Sequence, residues 1–173
     1  MRISKFLFLI TTRRYSYNYN FIPKNNINNN IIINQIRGDY SFFNYNPDRD
    51  VYRYGSKKRR IYKKNTFKKG LVEDHHIIPK QFKNNYFINE INYDVSCSNN
   101  ILIMPSFVSS YVLNDTKRIY HHSHKKYNKY IESNIEYILN NNKSKSEKQY
   151  YFWLFVKNTE SKLINNDKNI PWD

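Results

Sequence analysis

The sequence contains one cysteine, Cys97, and no alanine among its 173 residues. A single cysteine excludes an intrachain disulfide framework and a zinc ribbon built on cysteines. No window approaches 18 consecutive apolar residues, so we expect no stable insertion into a membrane. Acidic residues are scarce as well, with 14 Asp and Glu against 29 Lys and Arg, a formal net charge of +15. This excess favours a polyanionic partner, either nucleic acid or an anionic membrane surface.

The positive charge lies mainly in the first part of the chain. Residues 1–70 hold 16 Lys and Arg and three acidic residues, whereas residues 71–173 hold 13 and 11. The lack of alanine and the abundance of Asn, Ile, Lys and Tyr are typical of an AT-rich coding bias, which accounts for part of the lysine content. The length and modest apolar content predict one domain with a basic region in front of it.

The basic front divides into three segments. Residues 1–15 are basic, hydroxyl-rich and free of acids, which favours an organelle transit peptide and a mitochondrial location; an ordinary basic tail is the alternative. Residues 16–46 form an Asn-rich, low-complexity segment that need not pack. Nuclear and cytoplasmic locations remain open, because the basic residues that follow also resemble a nuclear import signal.

Residues 47–70 form a basic segment in which cations alternate with aromatic rings. Such a pattern suits a phosphate backbone gripped by cations, with rings available for stacking on bases. A solvated surface is the alternative. The predicted nucleic-acid-binding residues are Lys57, Lys58, Arg59, Arg60, Lys63 and Lys64.

All five histidines fall in two short clusters, and histidine is both a common metal ligand and a common general base. His75 and His76 lie among β-branched residues that predict a strand ending by Pro79. Adjacent strand residues point to opposite faces, so the two rings can share a site only where the strand ends or bends.

A second strand is predicted directly after Asn100, where an apolar run extends to Pro105. We expect this strand to return antiparallel to the first.

The second histidine cluster precedes a predicted helix whose N-cap is Ser123. The apolar positions recur at helical spacing: Tyr127, Ile131, Ile135 and Ile138. His124 falls on this inward face, His121 falls at its edge if the helix extends that far, and His122 falls roughly opposite.

Three motifs in this order resemble the HNH, or ββα-metal (His-Me finger), nuclease superfamily, and most closely its AHH branch. They are residues 74–79 (DHHIIP), residues 98–105 (SNNILIMP) and residues 124–128 (HKKYN). Asp74 stands where the branch often has alanine, and Lys125 replaces a usual proline. The resemblance covers about residues 70–142.

The resemblance implies an α+β fold in which residues 71–142 form a small ββα-metal core with flanking helices, behind a disordered basic N-terminal region. We expect residues 143–173 to form a helix that packs on this core. The resemblance also implies that His75 is a metal ligand and His76 is the general base. His124, with His121, would complete the metal shell. Asn100, or Asn99 if the register slips, would orient the base through its side-chain carbonyl.

The implied function is a metal-dependent endonuclease that hydrolyses phosphodiester bonds with one divalent ion, either Zn, Mg, Mn or Ni. Imidazole ligands suit Zn, Ni or Mn, whereas a carboxylate from Asp74 or Asp94 would favour Mg. The expected partner is nucleic acid, DNA before RNA. The alternative function is a non-catalytic nucleic-acid-binding protein, ribosome- or nucleoid-associated, on a degenerate nuclease fold.

Overall fold

The computed structural model describes residues 47–67, 69–109, 120, 121, 123–165, 167 and 169–172. The predicted transit peptide at residues 1–15 and the Asn-rich segment at residues 16–46 lie outside these residues, and so does His122. The mitochondrial location therefore stays a prediction from sequence.

The described chain is α+β, which confirms the predicted class. Its central part has the order strand, strand, helix, with further helices before and after it. In chain order the elements are α1 Lys57–Thr66, β1 Val72–His76, a 3₁₀ helix Lys80–Asn84, α2 Tyr86–Glu90, a 3₁₀ helix Ser98–Asn100, β2 Ile101–Pro105, α3 Lys125–Asn141 and α4 Lys145–Ile164.

The two strands pair antiparallel, as predicted, with Val72 opposite Pro105 and His76 opposite Ile101. β1 ends at His76, three residues before Pro79, because the chain then turns into the core. Ile77 and Ile78 are completely buried there, and the Ile77 N–H donates to the backbone carbonyl of Asn100 at 2.8 Å. His76 is thus the last residue of the strand.

Helix α3 presents the predicted apolar stripe to the core, and its residues Tyr127, Ile131, Ile135 and Ile138 are all buried. The expected N-cap at Ser123 is wrong. The helix begins at Lys125, because its first hydrogen bond runs from the Asn128 N–H to the carbonyl of His124, which makes His124 the N-cap.

Helix α4 packs against the rest of the core mainly through aromatic side chains. The Phe152 ring is fully buried and makes edge contacts with Phe87 and Tyr93, with ring centroids 5.5 and 5.0 Å apart. Within the described residues, no helix is both long and apolar enough to cross a membrane. The core comprises Ile77, Ile78, Phe82, Phe87, Ile88, Ile91, Tyr93, Val95, Cys97, Tyr127, Ile131, Ile135, Ile138, Phe152, Phe155, Val156, Leu163 and Ile170.

The described part of the basic segment contacts the residues that follow it in sequence. The Tyr54 N–H donates to the carbonyl of Ser96 at 2.9 Å, and Arg53 pairs with Asp94 at 2.9 Å. Helix α1 therefore starts from a backbone that is already attached to the core.

A capping box begins helix α4. The Ser144 hydroxyl accepts the Glu147 N–H at 3.2 Å, and the Glu147 carboxylate accepts the Ser144 N–H at 3.0 Å. Ser144→Ala should lower the free energy of unfolding by about 1 kcal/mol. Ser133→Ala, an exposed position inside α3, is the matched control and should be neutral or slightly stabilising. Urea denaturation of the three proteins measures both effects, and equal stability of all three would contradict the cap.

Candidate metal centre and active site

His75 lies on the inward face of β1 and is 1% exposed. Neither of its ring nitrogens has a hydrogen-bond partner among the described residues, although both are buried. Its ring packs edge-on against Tyr127 and Trp172, with centroids 5.1 and 5.3 Å away. A buried polar group without a partner is costly, and one ring nitrogen of His75 is therefore available to bind an ion.

Two more histidines surround this ring. The centroid of His75 lies 5.3 Å from that of His121 and 5.8 Å from that of His124, and the last two are 5.4 Å apart. One ring nitrogen of each can be chosen so that all three nitrogens lie within 4.8 Å of one another. The structure thus brings together the three histidines that were predicted as metal ligands.

The helical pattern of the sequence does not explain how His121 is placed in the cluster. Its N–H donates to the carbonyl of Pro105 at 2.8 Å, and it forms an isolated parallel bridge with Ser106. Because α3 begins only at Lys125, His121 is held by the end of β2 and not by the helix. The helix does not extend to His121, so the condition for placing it at the edge of the helical face is not met, although its ring lies beside that of His124.

The cluster suits a divalent metal ion of borderline softness. Burial, followed by the nearby rings of His121 and His124, holds the pKa of His75 well below the usual histidine value. A neutral imidazole is the form that binds metals, and sites of three imidazoles are typical of zinc and its neighbours. The unprotonated ring of His75 therefore fits a metal ion as it stands.

The two carboxylates that would have favoured magnesium are engaged elsewhere. Asp74 pairs with Arg59 at 2.9 Å, and Asp94 pairs with Arg53 at 2.9 Å. Neither belongs to the group of clustered ligand atoms found in the described residues. The site is imidazole-only on this count, which favours Zn, Ni or Mn over Mg.

A third carboxylate, which the sequence reasoning missed, contacts the cluster from outside. The Glu73 Oε2 lies 2.6 Å from the Nδ1 of His121. Strand alternation was the available signal, because Glu73 and His75 are two residues apart and share a face of β1.

His76 faces away from the cluster at the end of β1, as alternation predicts. The ring of Tyr54 meets it edge-on, with centroids 4.5 Å apart, and its buried Nε2 has no hydrogen-bond partner among the described residues. Burial lowers the pKa of His76 to about 4; Asp74 raises this pKa, whereas Lys80 and Arg59 lower it further. The ring is thus unprotonated at neutral pH, the state that a general base requires.

Asn100 differs from its predicted role in its partners. Its side-chain carbonyl accepts the Ile78 N–H at 2.8 Å, and its amide donates to the carbonyls of Ile78 and Val95 at 3.0 and 2.7 Å. The expected bond from this carbonyl to the His76 ring is therefore wrong. Asn100 instead ties down the backbone directly after His76, because a buried amide satisfies three backbone groups that water cannot reach.

The two neighbouring asparagines allow a matched test. Asn100 is fully buried, whereas Asn99, the alternative under a register slip, is exposed. Asn100→Ala should lower the free energy of unfolding by about 2–4 kcal/mol, because three backbone groups lose their partner. Asn99→Ala should change it by less than about 0.5 kcal/mol. Chemical denaturation checks both values, and similar losses in the two variants would refute this assignment.

The basic helix α1 does not use all of its cations in the same way. Arg59 is buried, and its Nε and Nη2 donate to one oxygen of Asp74 at 3.1 and 2.9 Å. Its guanidinium is thus engaged with Asp74, and its role as a phosphate-binding residue stays a prediction. The Nζ of Lys63 lies 3.3 Å from the Oδ1 of the same carboxylate. The exposed cations of the predicted set are Lys57, Lys58, Arg60 and Lys64.

A cavity of about 300 Å³ opens between α1 and the end of the loop before it. Its lining combines an aromatic ring, cations and one acid: Tyr54, Gly55, Arg59, Arg60, Lys63 and Asp74. Tyr54 also contacts His76, so this cavity adjoins the candidate base.

Arg59 and Arg60 form a second matched pair. Arg59→Ala should lower the free energy of unfolding by about 3 kcal/mol, because it leaves Asp74 poorly paired in a largely buried place. Arg60→Ala should leave the free energy of unfolding within about 0.5 kcal/mol of the parent and weaken nucleic-acid binding.

Replacing the four exposed cations together should lower the slope of log affinity against log salt by up to about 3–4 on duplex DNA. A slope change below about one unit would exclude α1 as a phosphate-binding surface.

Comparison with known protein families agrees with this arrangement. Residues 56–152 match the family model described as AHH, a nuclease family of the HNH/ENDO VII superfamily with conserved AHH. No curated protein and no solved structure matches the chain. The matched region is longer than the predicted residues 70–142, since it includes helix α1 and the first part of α4. It spans more than half of the sequence, and the chain therefore belongs to the AHH nuclease family of the HNH/ENDO VII superfamily.

Proposed function

We propose that the protein is a metal-dependent endonuclease that hydrolyses phosphodiester bonds with His76 as the general base. His75, His121 and His124 would hold a single divalent ion. One observation carries the proposal: the three imidazoles of His75, His121 and His124 cluster at the end of β1, and the next residue, His76, is an imidazole whose pKa burial lowers to about 4. Nucleases of this superfamily generally use a divalent metal, and their substrate is nucleic acid.

The chain contributes the proton transfer and its alignment. His76 would take the proton of a water molecule that attacks the phosphorus, an effect worth typically about 10²–10⁴-fold in rate. Asn100 holds the backbone behind the ring, and Tyr54 packs on its edge, so the imidazole is oriented before substrate binds. When bound, the metal ion neutralises charge on the phosphate and on the leaving oxygen.

The substrate would approach along the exposed cations of α1. Lys57, Lys58, Arg60 and Lys64 would contact phosphates, and Arg60 also lines the cavity of about 300 Å³ beside Tyr54. Phosphate contacts of this kind are common to all sequences, so we propose nucleic acid as the substrate, with DNA tested before RNA.

His76→Ala should abolish cleavage and leave nucleic-acid binding nearly intact, because a general base lowers the reaction barrier more than it stabilises the bound substrate. The measurement uses the purified full chain with plasmid DNA and with RNA, across Zn²⁺, Ni²⁺, Mn²⁺ and Mg²⁺, each with a chelator control. Ser133→Ala, treated identically, controls for activity lost during preparation and should cleave like the parent protein. Undiminished cleavage by His76→Ala would remove His76 from the mechanism.

The same assay separates the enzyme from the alternative function. A chain that binds nucleic acid with the expected salt dependence, yet never cleaves it with any of the four metals, would be a binding protein on a degenerate nuclease fold. Metal-dependent cleavage that a chelator stops would support the endonuclease.

A further inference from the structure

We infer that Glu73 is a positioning residue that fixes the ring of His121 and leaves only its Nε2 for a metal ion. The inference rests on the proposed metal centre and goes beyond it, because it assigns the tautomer of one ligand and the group that sets it. The carrying observation is the 2.6 Å contact between the Glu73 Oε2 and the His121 Nδ1.

The backbone delivers the two side chains to each other from different parts of the chain. Glu73 pairs with Met104 in the sheet, and His121 is bonded to Pro105 at the end of the same strand β2. The backbone of His121 is therefore held in place, and the remaining freedom lies in its side-chain torsions. A carboxylate on Nδ1 removes that freedom.

The hydrogen bond also decides which nitrogen carries the proton. A carboxylate accepts and does not donate when ionised, so Nδ1 must carry the proton that is shared with Glu73. In the neutral ring, which is the form that binds metals, Nε2 is then the nitrogen with a free lone pair. A carboxylate behind a metal-binding imidazole also raises the basicity of the ring toward the metal.

Glu73 is not placed as a ligand itself. Within the described residues, the atoms that lie close enough to share one ion come from His75, His121 and His124. The Glu73 side chain is 53% exposed, whereas that of His121 is 18% exposed, so the carboxylate contacts the solvent side of the ring.

The ring of His75 is held in place in a different way from that of His121. Its ring nitrogens have no hydrogen-bond partner among the described residues, and its orientation follows from packing against Tyr127 and Trp172. The His121 side chain is less buried, at 18% exposed, and it has the Glu73 carboxylate as a hydrogen-bond partner. The two ligands should therefore respond to different substitutions.

The test measures metal affinity of the untagged full chain by competition of Zn²⁺ against a chromophoric chelator. Glu73→Ala should weaken affinity by about 10–100-fold, the usual effect of losing the carboxylate behind a metal-binding histidine. Glu73→Gln should recover part of the loss, because its amide oxygen still accepts the Nδ1–H bond. Glu132→Ala, an exposed acid on α3, is the matched control and should bind like the parent.

Two outcomes would overturn the inference. If Glu73→Ala binds Zn²⁺ like the parent while His75→Ala does not, the metal centre stands and Glu73 has no positioning role. If Glu73→Gln is as weak as Glu73→Ala, the effect belongs to the lost charge and not to the orientation of the ring. Should Glu73→Ala fail to fold, Glu73→Asp replaces it; its shorter side chain withdraws the carboxylate, so unchanged affinity there would equally overturn the inference.

The result for His75→Ala tests the proposed function separately. Parent-like Zn²⁺ affinity in His75→Ala would remove the metal centre itself, whatever Glu73 does. A cobalt-loaded parent and Glu73→Ala pair adds a spectroscopic readout, because a shifted visible absorption in the variant reports a changed ligand geometry without any assay of cleavage.

Discussion

Five residues of β1 pair with five residues of β2, and the register of this short ladder determines where His75, His76 and Asn100 stand. With His76 opposite Ile101, the strand ends at His76, and Asn100 stands directly before the partner strand. At the other end, Pro105 offers the carbonyl that holds His121. A slip of one residue would exchange the faces of His75 and His76, which would place the wrong ring among the other histidines.

The ladder is short, so its ends need other restraints. Asn100 supplies one by bonding to Ile78 and Val95 with its side chain, and the core supplies another by burying Ile77 and Ile78. On the opposite face of β1, Asp74 accepts hydrogen bonds from the guanidinium of Arg59, which attaches helix α1 to the strand. The aspartate that replaces the alanine of the family's AHH motif thus has a structural partner in this chain.

Within a single helical turn of this protein, one charged side chain can form a buried ion pair while its neighbour is exposed to solvent. Arg59 and Arg60 are adjacent in sequence, yet one is buried in an ion pair and the other is exposed. Net charge could therefore indicate a polyanionic partner, but it could not tell which cations remain available to bind it. The same holds for Asp74 and Asp94, whose pairing with arginines removes them from the metal centre.

Local patterns in the sequence were enough to predict the α+β class, the antiparallel strands, the apolar face of α3 and the opposite directions of His75 and His76. The apolar face of α3 and the directions of the two histidines depend on residues a few positions apart, where helical or strand periodicity dictates the geometry. The tertiary structure alone decided four sets of contacts. These are the bridge between His121 and Ser106, the contact of Glu73 with the His121 ring, the bonds of Asn100 to Ile78 and Val95, and the burial of Arg59 against Asp74. The physical reason is that hydrogen bonds and ion pairs form with whichever group the packing brings within reach. The periodicity of the sequence does not determine which groups become neighbours in this way.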